Sequence, residues 1–172
     1  MPATSHRELI MPRFVILRHE VPPSHERGLH WDFMLECGGV LRTWSLAAEP
    51  AAFVPILAQP LADHRLAFLE YEGPLSGGRG MVSRWDSGEF DWLQNTVGVA
   101  VLLRGARIRG TATMECPLRP KQEGGNDPLE SATAPNDQRW CFTFTPEVRE
   151  AGRISSAVPK PSSVDCVVRP AT

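Results

Sequence analysis

No apolar run in the chain approaches the roughly 20 residues needed to cross a bilayer, so no membrane partner is expected. The opening residues, MPATSHRELIMPRF, lack the apolar core of a secretory signal. Cysteines at CxxC spacing are also missing. Cys37, Cys116, Cys141 and Cys166 are dispersed, which argues against a thiolate zinc site and a dense disulfide framework. They are expected to be reduced thiols of a cytoplasmic protein. Nor is there an excess of positive charge, since 18 Lys and Arg face 20 Asp and Glu for a net charge of -2. That balance excludes a polybasic nucleic-acid binder but not a local basic cleft, because phosphate contacts depend on where charge lies. No internal repeat is present.

What the chain does contain is a series of short strand-like runs, and its 172 residues suffice for one domain with its own core. RFVILRH is compact and β-rich. HWDFMLE alternates, with Trp31, Phe33 and Leu35 on one face and His30, Asp32, Met34 and Glu36 on the other. Gly38 and Gly39 then turn the chain into VLRTWSL, completing a hairpin. RLAFLEYEG, GMVSRWDSG, VGVAVLLRG, RIRGTATMEC and RWCFTFTP are further strand candidates. Only EPAAFVPILAQPLA has helical composition, and its prolines limit it to a turn or two. The expected class is all-β, a compact antiparallel β-barrel of about seven or eight strands with short helical turns. Residues 1–12 read as a flexible lead-in and 13–146 as the barrel. The polar, Pro- and Gly-rich 117–137 reads as a mobile loop, and 147–172 as a loosely packed or disordered tail.

The chemistry concentrates in RHEVPPSHERGLHWDFMLE, where three of the five histidines fall within its first thirteen residues. On a strand, residues i and i+2 point the same way about 7 Å apart, so His30 and Asp32 make a ligand pair. His19 ends the preceding strand, and the loop EVPPSHERGL can return beside it. Two imidazoles and a carboxylate suit Mn²⁺, Fe²⁺ or Zn²⁺. By itself, however, HxD on a strand is more often an exposed polar face. His25 reads as solvated, and His6 in the lead-in has no case. His64 opens the RLAFLEYEG run on the face of Leu66 and Phe68 and, taken alone, reads as a surface histidine. GPLSGGRGM can form a backbone nest for an anion, but it lacks the Lys-Ser/Thr ending of a P-loop and reads first as a plain turn.

The ordered series RFVILRH, LHWDFMLECGGVLRTWSL, DHRLAFLEYEG and WDSG resembles the 3'-phosphoesterase domain of bacterial DNA ligase D. That family reads FVxxxH, LHxDxRLExxGVLxSW, DHPLxYxxFEG and then a WDxG turn. The resemblance runs from about Arg13 to Gly88 and continues more loosely through LLRGARIRGTATM and RWCFTFTP. It implies a β-barrel whose cleft holds a divalent metal, manganese by preference, and trims DNA 3' ends by removing a terminal ribonucleoside and then the 3'-phosphate. By motif position His19, His30 and Asp32 match the metal ligands, and His64 matches the catalytic histidine that contacts the phosphate. Met34, Phe68 and Ala48 stand where the family has arginine, tyrosine and lysine. Arg65, Arg79 and Arg84 are candidates for replacement phosphate-binding charge. The implied partners are DNA or RNA–DNA 3' ends and a separate ligase or polymerase. Two alternatives are a catalytically impaired DNA-end-binding module and a non-haem iron oxygenase using His30, Asp32 and His64 as a facial triad.

Overall fold

The computed structural model describes residues 11–23, 27–93, 98–116 and 140–147. The β-rich runs form nine strands: β1 Arg13–Glu20, β2 His30–Cys37, β3 Val40–Leu46, β4 Ile56–Pro60, β5 Gly73–Pro74, β6 Met81–Leu93, β7 Gly98–Gly105, β8 Arg109–Glu115 and β9 Trp140–Pro146. Eight of them close in the order β1-β2-β3-β4-β9-β8-β7-β6, with β6 returning to pair with β1. All these pairings are antiparallel. The two-residue β5 pairs with the start of β6 outside this ring. The expected antiparallel barrel is therefore the observed fold.

Alternation sorts the side chains onto two faces. Phe14 and Ile16 of β1, Trp31, Phe33 and Leu35 of β2, Trp44 and Leu46 of β3, and Phe142 and Phe144 of β9 belong to the interior cluster. Phe33 is central, its ring lying 5.4 Å from Phe142, 6.2 Å from Trp44 and 6.4 Å from Phe14. The outer face of β1 and β2 is not left to water. Val15, Leu17, Met34, Leu41 and Val82 form a second cluster with Leu69, and Phe68 and Leu75 pack against it. Residues 61–80 thus fold back over the outside of the barrel, and β2 is buried on both faces.

That excursion departs from two expectations. RLAFLEYEG is not a strand: its core is a 3-10 turn at Leu66–Leu69. EPAAFVPILAQPLA forms no helix and instead contributes β4. After Pro60, which has no N–H to donate to a ladder, Leu61 N–H still donates to the Thr43 carbonyl at 2.9 Å, and the last contact with β3 is the isolated Leu41–His64 bridge. The chain then leaves the sheet, and a segment without a strand neighbour closes its hydrogen bonds locally as a turn.

WDSG is a turn in the family pattern, but here it is strand, as the GMVSRWDSG run itself indicates. It lies within β6, which bulges at Trp85 opposite Ile16 and Leu17 of β1, and Trp85 joins the interior while Asp86 is also buried. Asp86 accepts hydrogen bonds from the backbone N–H groups of Ala106, Arg107 and Ile108 at 2.9, 3.0 and 3.0 Å. A Cβ at Gly105 would lie 2.1 Å from Asp86 Oδ2, so only glycine admits the carboxylate there. Cys37 is disulfide-bonded, whereas Cys116 and Cys141 carry free thiols, which corrects the expectation of reduced thiols at Cys37. Dispersion along a sequence sets no lower limit on distance in the fold. Most of the expected lead-in, the 117–137 loop, the tail beyond Glu147, His6 and His25 lie outside the described residues. No helix among the described residues is long and apolar enough to cross a membrane.

Replacing Asp86 with alanine removes the charged acceptor of three amides at once. It is expected to cost about 3 kcal/mol, since each charge-assisted bond is worth about 1.5–3 kcal/mol and water recovers part of the loss. Equilibrium urea unfolding measures this, and a cost below about 1 kcal/mol would mean that the loop does not depend on the carboxylate.

Candidate functional site

The β1–β2 register sets His19 directly opposite His30 and Leu17 opposite Asp32. Since i and i+2 share a face, His19, His30 and Asp32 all project from the outer wall of the barrel toward the 61–80 cover. His30 and Asp32 are buried at 3% and 4% exposure, and His19 is half-buried. His19 Nδ1 lies 3.1 Å from Asp32 Oδ2, His30 Nε2 lies 3.6 Å from Asp32 Oδ1, and the two imidazole centroids are 4.4 Å apart. One donor atom from each residue falls within 4.8 Å of the others, and His64 is not a member of this group.

Backbone carbonyls orient both rings. His19 Nε2–H donates to the Arg79 carbonyl at 2.8 Å, and His30 Nδ1–H donates to the Gly28 carbonyl at 2.8 Å. The remaining nitrogens, Nδ1 of His19 and Nε2 of His30, face the carboxylate. Asp32 Oδ1 is buried with no hydrogen-bond partner. A buried carboxylate oxygen without a partner is costly, and a cation shared with the two nitrogens that face the carboxylate would satisfy it. An N₂O donor set whose outer nitrogens are held by carbonyls fits a divalent transition metal.

Electrostatics distinguish the two histidines. Burial is the largest influence on His19 and opposes its charge. The hydrogen bonds to Asp32 and the Arg79 carbonyl, together with the Asp32 charge, outweigh it against a smaller repulsion from Arg27, so His19 lies above the ordinary 6.5. For His30 burial again leads, and with repulsion from His19 and Arg27 it overcomes the Gly28 carbonyl and Asp32, leaving the ring below 6.5. In the metal-free site His19 therefore keeps its proton to higher pH than an ordinary imidazole, and His30 gives its proton up at lower pH.

A cavity of about 440 Å³ joins this cluster to the 61–80 segment. His64 lines it, held by backbone bonds in both directions with Leu41 at 2.8 Å and by an Nδ1–H donated to the Ala62 carbonyl at 2.9 Å. The Phe68 ring meets the His64 ring edge-on at 5.3 Å. Arg65 and Arg79 line the same cavity, with the Arg79 guanidinium tied to Ser76. Arg84 does not. It lies on the other side of the cover, donating to the Leu69 carbonyl at 3.0 Å beside Glu70 and Glu72, in a separate cavity of about 250 Å³. Met34 and Phe68 border the cleft, but Ala48 is an exposed residue outside its lining. Arg27 also lines the cleft and was not singled out from sequence. Its position three residues before His30, in the loop between two ligand candidates, was the available signal.

Titration of the metal-free protein should separate the rings. By ring-proton NMR, His19 is expected to have its midpoint above 6.5 and His30 below it. The contribution of His19 to stability is then complete below 6.5 and lost as pH rises through its folded value. That of His30 is complete above 6.5 and lost as pH falls through its folded value. Reversed midpoints would contradict the described hydrogen bonding.

Two kinds of comparison bear on this site. The DNA Ligase D 3'-phosphoesterase domain family matches residues 23–115, a stretch that includes His30, Asp32 and His64 and begins just after His19. The chain is 37% identical over 107 residues to the multifunctional non-homologous end joining DNA repair protein LigD of Mycobacterium tuberculosis (strain ATCC 25618 / H37Rv), covering 56% of this chain and 13% of that protein. It is 35% identical over 78 residues to the multifunctional non-homologous end joining protein LigD of Pseudomonas aeruginosa, covering 42% of this chain and 9% of that protein. These relatives are thus many times the length of the matched region. The match extends over more than half of the present chain and takes in β2, the cover and the start of β6 around the cleft, though not β1, so the chain belongs to the DNA ligase D 3'-phosphoesterase domain family.

Proposed function

We propose that this protein is a metal-dependent phosphoesterase that trims nucleic-acid 3' ends in DNA repair, removing a 3'-phosphate or a 3'-ribonucleotide. The observation that carries the reading is the convergence of His19, His30 and Asp32 in one cavity with His64. In this reading the three residues hold a divalent ion, with manganese preferred and zinc or iron as alternatives. When bound, such an ion polarises phosphoryl oxygens and lowers the pKa of water. His64 is the catalytic residue on the other side of the phosphate. Its Nδ1–H is committed to the Ala62 carbonyl, so Nε2 is the atom that meets substrate. With that commitment Nε2 accepts when the ring is neutral and donates when it is an imidazolium, and in this reading the imidazolium donates a hydrogen bond or a proton to the phosphate. Arg65 and Arg79 supply positive charge at the cleft. Arg84 is withdrawn from that role because its partners lie on the far side of the cover.

DNA or RNA–DNA 3' ends are the proposed ligands, and a separate ligase or polymerase in the cytoplasm is the proposed consumer of the 3'-hydroxyl. A second reading, a DNA-end binder with impaired catalysis, draws on Met34 and Phe68. Both border the cleft and neither brings the charge or hydroxyl of the family residue. The oxygenase reading requires His64 as third ligand, and the residue grouped with His30 and Asp32 is His19 instead.

Incubation with Mn²⁺ and primers ending in a 3'-phosphate or a single ribonucleotide tests the proposal. Trimming is expected, and metal-dependent retention without trimming would favour the binder. Asp32→Ala removes the anionic member of the three candidate ligands and is expected to abolish stoichiometric Mn²⁺ binding by calorimetry. Equal affinity in the variant and the parent would move the site elsewhere. Met34→Arg combined with Phe68→Tyr is expected to raise single-turnover dephosphorylation. One recovered charged contact contributes about 1.5–3 kcal/mol, or about tenfold to a hundredfold in rate if expressed fully in the transition state. A parent enzyme that is already fast and is slowed by the double change would mean that Met34 and Phe68 serve a different substrate.

A further inference from the structure

The glycine-rich GPLSGGRGM segment is the hairpin that joins β5 to β6. Leu75 N–H donates to the Gly80 carbonyl at 2.8 Å and closes the loop, and Pro74 pairs with Met81. The next rungs run straight into the cleft, because Met81 pairs with Glu20 and Val82 with His19. The loop therefore lies against the end of β1, where the first ligand candidate sits.

Gly80 is the point of closest approach. Its φ is +95°, and a Cβ there would fall 1.9 Å from the Glu20 carbonyl oxygen and 2.8 Å from Val21 Cα. Both obstacles are backbone, so neither can swing aside as a side chain would. One residue earlier, the Arg79 carbonyl receives His19 Nε2–H at 2.8 Å. A carbonyl reaches that atom only if the loop lies flat on β1, and the loop lies flat only if position 80 has no side chain. By contrast, Gly78 has φ +67° but nothing within 4 Å of its Cβ position.

We infer that Gly80 is a positioning residue for the metal centre, holding the Arg79 carbonyl on His19 Nε2 so that His19 ligates through Nδ1. This rests on the reading of His19 as a metal ligand. Arg79 then serves the cleft twice, with its backbone oxygen orienting an imidazole while its guanidinium lines the cavity. Partners that orient a ligating imidazole typically contribute about 10–100-fold to metal affinity.

The hydrogen bond is testable without metal. Because a carbonyl can only accept, Nε2 carries the hydrogen whichever charge the ring has, and this Nε2–H is expected to be visible by ¹⁵N NMR and slow to exchange in the wild-type protein and in Gly78→Ala, and fast in Gly80→Ala. A fast-exchanging Nε2–H in the wild type overturns the inference whether or not any metal binds, and it decides the case even if Gly80→Ala fails to fold. With Zn²⁺ as a diamagnetic probe, the wild-type ring is expected to coordinate through Nδ1. Calorimetry should show Zn²⁺ affinity about 10–100-fold weaker in Gly80→Ala and near wild type in Gly78→Ala. Coordination through Nε2, unchanged affinity in Gly80→Ala, or equal weakening in both variants would each refute the positioning role. A wild-type protein that binds neither Zn²⁺ nor Mn²⁺ sinks the metal reading itself, while the exchange measurement still decides what Gly80 does.

Discussion

Everything at the cleft depends on the pairing of β1 between β2 and β6. Closure of the barrel gives β1 a neighbour on each edge, and those two ladders fix its register from both sides. One of them sets His19 opposite His30, and the other sets the same residue opposite Val82, at the foot of the hairpin that orients its ring. A slip of one residue in either ladder would turn His19 into the apolar interior and Ile16 or Phe14 outward. Aromatic packing around Phe33 prevents that slip, so the interior contacts hold the exterior geometry.

Burial on both sides of β2 explains why a carboxylate and an imidazole remain there unexposed. The interior face is filled by Trp31, Phe33 and Leu35, and the outer one is roofed by Leu69, Phe68 and Leu75. Within this roofed space water is partly excluded and the fields of Asp32 and the flanking histidines are poorly screened. The opposite displacements of the two imidazoles follow. Both feel desolvation, but only His19 has two hydrogen-bond acceptors to hold its proton.

The barrel and three members of the cluster were legible in the sequence because both rest on a period of two. HWDFMLE displays that period without interruption, and the Gly38–Gly39 turn follows directly. What alternation cannot reveal is the path of a segment after it leaves the sheet. RLAFLEYEG has strand composition yet forms a 3-10 turn, because its apolar residues face the outside of the barrel and have no strand beside them. The same ignorance of path hid the difference between Arg79 and Arg84, two arginines five positions apart that fall on opposite sides of the cover. Arg27 was missed for a related reason, since its loop carries no periodicity. The disulfide at Cys37 depends on tertiary proximity that spacing does not encode.

Because the cleft lies on the outer wall and not in the lumen, β2 carries two separable sets of constraints. Its odd-numbered residues answer to the packing of the core, while His30 and Asp32 answer to whatever enters from outside and Met34 answers both to the cleft and to the cluster beneath the cover. Substitutions on opposite faces of a strand share few neighbours, so their effects should be close to additive. A lineage with this architecture can therefore change its chemistry at the even positions without renegotiating the fold at the odd ones. Met34 stands on that even-numbered face at the border of the cleft, where an exchanged side chain would meet an incoming ligand.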